Sequence, residues 1–132
     1  MTNNPVPSSI HGHTRWVIPG GCIPLDSHGP EPDCTSRDEL IILNTHDEDA
    51  AVALHVYYAE RPPVGPYRIR VPARRIRCIR CNDLIDPEAL PLDTPYALTL
   101  TADRPVFVQF IQRYFGQHQR YAHPLVAYPI GD

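Results

Sequence analysis

Period-two alternation limits this chain more than any other feature. In "AVALHVYYA" (51–59), Val52, Leu54, Val56 and Tyr58 fall on one side of an extended backbone, and Ala53, His55 and Tyr57 on the other. That is the pattern of a strand with one face in a core. Similar segments recur at 14–19, 39–44, 67–71, 74–81, 96–101, 105–114 and 121–128. None has the 3.6-residue period of a long amphipathic helix. The sixteen prolines sit at segment boundaries and form no PxxP array, so they read as loop punctuation in a sheet protein. "ADR" (102–104), between two strand-like runs, signals a hairpin, and 82–95 reads as a loop with a helical turn. About eight short strands with turns every ten or so residues predict an all-β fold: a β-sandwich, jelly-roll-like or Ig-like.

A chain of 132 residues is expected to make one domain. Residues 1–13 read as a flexible leader and 14–132 as a single β-sandwich domain. The leader has no apolar h-region, and no run of about 18 apolar residues occurs, so a cytoplasmic protein with reduced cysteines is expected.

All twelve cationic residues are arginine. Without lysine there is no Schiff-base nucleophile, no pyridoxal anchor and no P-loop. The formal net charge of −3 argues against attraction of the whole molecule to nucleic acid. Charge is uneven, however. Asp47, Glu48 and Asp49 form an acidic knot, and Arg68, Arg70, Arg74, Arg75, Arg77 and Arg80 form a basic stripe. The stripe can be a solvated face paired with Asp47, Glu48, Asp49 and Asp83, an anion surface able to bind DNA weakly, or a subunit interface. Cys78 and Cys81, three apart on a strand, point to opposite faces and make a poor metal pair, with no second pair of matching spacing. His11 and His13 lie in the leader, away from any strand. No metal, no cofactor and no catalytic set is expected. His55 reads as a structural or interface residue.

The segments "GPEP" (29–32), "ILNTHDEDA" (42–50), "YYAERPPVGPYRIRVPARRIRCIRCNDL" (57–84) and "DTPYA" (93–97) resemble the sensory rhodopsin transducer family in order and spacing. The likeness runs from Trp16 to about Gln112; residues before Thr14 and the tail from Arg113 match poorly. The resemblance implies an all-β sandwich assembled as a homotetramer and a cytoplasmic, non-enzymatic signalling or ligand-sensing module. Its implied ligand is a sugar or sugar derivative, and its implied partner in the namesake branch is a membrane photoreceptor. A nucleic-acid-associated regulator using the Arg68–Arg80 stripe is the alternative.

Sugars are held by an aromatic platform and planar polar side chains. Trp16, the only tryptophan, is either that platform or a core-edge residue. Glu31 is a ligand acceptor or an arginine partner. Asn44, Asn82 and Asp83 are ligand contacts or turn residues. Gln109, on an apolar strand, is a pocket candidate if it faces inward.

Overall fold

The computed structural model describes residues 11–131. Most of the expected leader, residues 1–10, lies outside the described residues, as does Asp132. The strands are β1 (His13–Gly21), β2 (Arg37–Asn44), β3 (Ala50–Tyr58), β4 (Val64–Val71), β5 (Arg75–Arg80), β6 (Tyr96–Phe115), β7 (Arg120–Leu125) and β8 (Tyr128–Pro129). A 3₁₀ turn covers Cys81–Asp83. All pairs between these strands are antiparallel, and the short links of β3 to β4 and of β6 to β7 admit no other orientation.

One strand organises the fold. The first half of β6 pairs with β3 and β1, and its second half pairs with β2 and β7. It therefore belongs to two leaves: β4-β3-β6-β1-β8 and β5-β2-β6-β7. The expected hairpin at 102–104 is absent, and the chain runs straight through. Asp103 accepts the Ala51 N–H at 2.8 Å and Arg104 donates to the Asp49 carbonyl at 3.1 Å. These polar side chains fasten β6 to its neighbour instead of turning it. β6 leaves β3 after Ala102 and meets β2 from Phe107. Between them lies Pro105, which has no N–H to offer a ladder.

The alternation determines which residues the two leaves bury together. Leu54, Val56, Leu98, Leu100, Tyr67 and Val71 from the first leaf share one core with Leu40, Ile42, Phe110 and Ile79 from the second. Each fully buried aliphatic side chain contributes about 1.5–3 kcal/mol. Trp16 joins this core at 7% exposure, and its indole N–H donates to Val106 O and His13 O, both at 3.1 Å. It thus ties β1 to the point where β6 changes leaves.

Candidate functional site

Past Phe110 the inner face of the second leaf turns polar. Gln112 and Tyr114 follow at the same parity, and across the ladder they meet His123 and Tyr121. Tyr121 lies against Tyr114 with ring centres 5.1 Å apart and stacks on His123 at 4.8 Å. The chain leaving β1 forms the opposite wall. The result is a cleft of about 440 Å³ lined by Cys22, Pro24, Leu25, Asp26, Asp93, Gln112, Tyr114 and Tyr121.

Buried Ser36 holds that wall in place. Its hydroxyl donates to Asp26 O at 2.5 Å and accepts the Phe115 N–H at 2.9 Å. Asp93, with φ +52°, donates its N–H to Ile23 O at 2.8 Å.

Behind the cleft lies a buried carboxylate that the sequence reading passed over. Asp38 is fully buried. Its Oδ2 accepts the Tyr96 hydroxyl at 2.6 Å and the Cys22 N–H at 2.9 Å, and its Oδ1 accepts Gln112 Nε2 at 3.3 Å. Gln112 also donates to Cys22 O at 2.7 Å. Burial pushes the Asp38 carboxyl above the ordinary carboxylate range, against the opposing pull of those three hydrogen bonds. Burial likewise pushes the neighbouring Cys81 thiol up to about 12, and the Tyr96 phenol far above its usual range. Gln112 therefore links the cleft to a network that joins β1, β2 and β6.

Gly21 makes room for this network. A Cβ there would sit 2.6 Å from the Tyr96 ring. Gly21→Ala is expected to displace Tyr96 from Asp38 and destabilise the fold by about 1–3 kcal/mol, measurable as a shifted urea midpoint at unchanged m.

The basic stripe is partly neutralised by the acidic knot. Arg70 pairs with Asp49, Arg74 with Asp47 and, from β6, Arg104 with Glu48. Arg80 lies 3.7 Å from Asp83. Among the described residues, Arg75 and Arg77 donate only to main-chain carbonyls, of Ala73 and Arg74 in the first case and of Arg70 in the second. Among the described residues, no carboxylate pairs with Arg68, Arg75 or Arg77.

The residues singled out from sequence do not converge. Trp16 is packed in the core with its N–H committed, so it offers no open ring face. Asn44 is fully buried and closes the β2–β3 turn. It accepts His46 N–H at 3.0 Å and donates to Glu48 O at 2.8 Å and Val71 O at 3.2 Å. Asn82 donates to Ser36 O at 3.1 Å, and its buried Oδ1 has no partner among the described residues. Asp83 is exposed beside Arg80, and Glu31 is exposed on its loop. Gln109 faces outward: its neighbours Val108 and Phe110 take the inner parity, and it pairs with Ile41 on the outer face. None of the six lines the cleft. Cys78 is exposed and Cys81 buried, so that pair does not meet. Among the described residues no three His, Cys, Asp or Glu side chains are grouped to hold a metal ion. No helix there is long and apolar enough to cross a membrane.

A signal for Asp38 and Gln112 did exist. Asp38 shares parity with Leu40, Ile42 and Asn44, and Gln112 with Phe110. A polar residue at the end of an apolar-parity run marks the place where a core opens.

The family model described as "Anabaena sensory rhodopsin transducer" matches residues 11–129. The chain belongs to this family. Its span extends beyond Trp16–Gln112 at both ends and includes the residues of β7 and β8. The solved "Anabaena sensory rhodopsin transducer" is 44% identical, covering 75% of this chain and 96% of that one, with a TM-score of 0.67. A structure titled "Crystal Structure of Thermotoga maritima 1070" is 23% identical, covers 90% of this chain and 96% of that one, and superposes with a TM-score of 0.76, a likeness of fold. No curated protein matches the chain.

Proposed function

We propose that this chain is a non-enzymatic sensing module of the transducer family whose cleft takes a small polyhydroxylated ligand, a sugar or sugar derivative. The supporting observation is the composition of the cleft. Two tyrosine rings, the Gln112 amide and the Asp26 and Asp93 carboxylates surround one space of about 440 Å³. Tyrosine rings accept the C–H face of a pyranose, while the amide and carboxylates bond its hydroxyls. Ligand contact with Gln112 would reach Asp38 and Tyr96, which span the two leaves, and so offers a route from occupancy to the packing of the sandwich. The family extends the proposal to a homo-oligomer, a tetramer, and to a membrane photoreceptor as signalling partner. Sedimentation of the purified chain tests the oligomer.

The ligand reading is tested by thermal unfolding against sugars, sugar acids and sugar phosphates. A ligand at about 100 times its Kd adds about 2.7 kcal/mol. Tyr121 is a surface residue at 36% exposure, so Tyr121→Ala is expected to abolish the shift at little cost in stability. A ligand whose shift survives Tyr121→Ala and Gln112→Ala would place its site elsewhere.

A further inference from the structure

We propose that the free edge of β5 is a docking site for an extended acidic peptide segment of a partner protein, which adds to the second leaf as a further strand. β5 pairs only with β2, so one row of its main-chain groups has no strand beside it among the described residues. Its register with β2 is unbroken from Arg80 to Arg75, and the strand "RIRCIR" contains no proline and no bulge. Two of the usual means of blunting an edge are therefore missing. Residues 75–78 are all exposed, and Ile76 is 62% exposed beside its cross-strand neighbour Leu43. A groove of about 550 Å³ lined by Arg70, Pro72, Arg75, Ile76 and Arg77 follows this edge.

Charge selects the occupant. β5 has three arginines in six residues and no acid, so pairing with a second copy of itself brings like charges together. An acidic strand meets the opposite situation. Arg75 and Arg77 lie two residues apart on one side of β5, about 7 Å along the strand. Neither has a carboxylate partner among the described residues. Asp or Glu at alternate positions of an added strand would match both, and its intervening apolar side chains would lie on the side of Ile76 and Leu43. Residues 1–10 contain no acid, so the chain's own beginning is not that strand. A nucleic acid fits less well. The neighbouring Arg70 and Arg74 are held by Asp49 and Asp47, which leaves a short cationic track beside an acidic knot, whereas phosphate-backbone binding scales with the number of charges neutralised. Strand addition uses main-chain hydrogen bonds for affinity and alternate side chains for specificity.

The test uses the full chain and a capped peptide of about eight residues alternating glutamate and valine, a natural strand length. Binding is followed by fluorescence anisotropy and by amide hydrogen exchange. Saturable binding that slows exchange at residues 75–80 is expected. Arg75→Ala with Arg77→Ala should weaken it by at least about tenfold, and a lysine–valine peptide should not bind. The same acidic peptide N-methylated at alternate amides keeps its charge but loses its ladder, and it should also fail; this arm holds even if the double variant folds poorly. Equal binding of the N-methylated peptide, or protection outside residues 75–80, overturns the proposal. So does a single-stranded DNA that outcompetes the peptide at the same edge, or oligomer contacts that already protect β5 in its absence. Tyr121→Ala leaves this binding intact, so it stands or falls apart from the cleft.

Discussion

Asp38→Ala is expected to destabilise the protein by about 3–4 kcal/mol, lowering Tm by about 10 °C or more. The effect is large because the carboxylate serves three donors at once: the Tyr96 hydroxyl, the Cys22 N–H and the Gln112 amide. Truncation leaves the buried Tyr96 hydroxyl and the partly buried Cys22 N–H without this acceptor, at about 1–3 kcal/mol for the first and less for the second. Asp38→Asn keeps the shape and an acceptor, and should cost about 1 kcal/mol. It should also change the pH dependence. The folded-state pKa of Asp38 is raised by burial. Its contribution is therefore most favourable below the unfolded-state value of about 3.9 and is lost as pH rises through the raised folded value. Wild type should gain on Asp38→Asn as pH is lowered through that window. Denaturant midpoints of the two proteins across the acidic range measure this, and a difference independent of pH would remove the assignment.

Trp16→Ala should cost about 3–5 kcal/mol, the usual loss for a large aromatic cut out of a packed core. Trp16 fills space between the leaves and bonds Val106 O where β6 crosses from one to the other. Trp16→Phe restores most of the volume but not the N–H, and should cost about 1–2 kcal/mol. The pair also separates a structural tryptophan from a ligand platform. With Trp16→Phe, a sugar-induced thermal shift should persist at full size, because the ring lies in the core and not in the cleft. A Trp16→Phe protein of near-normal stability that no longer responds to ligand would return Trp16 to the binding site.

Alternation alone assigned the faces of β3 and β4, because each side chain's direction on a strand follows from its parity. Val52, Leu54 and Val56 are buried, as are Tyr67, Ile69 and Val71, while Arg68 and Arg70 point out. The all-β class was also legible, as was a partial pairing of the basic stripe with the acidic knot, Arg70 with Asp49 and Arg74 with Asp47. So was the family, through the order of "PVGPY", "PARR" and "NDL". The site was not. Its residues come from the end of β1, from Asp93 and from the far half of β6 with β7, and local pattern says nothing about which strand ends meet. The continuity of β6 was equally hidden. Ala102–Asp103–Arg104 reads as a turn until Ala51 and Asp49 are beside it to take its hydrogen bonds. Parity is a property of the backbone and is written in every strand. Which leaf a strand joins, and where the core opens into a cleft, are decided by contacts between residues far apart in the chain. Only the folded structure brings those residues together.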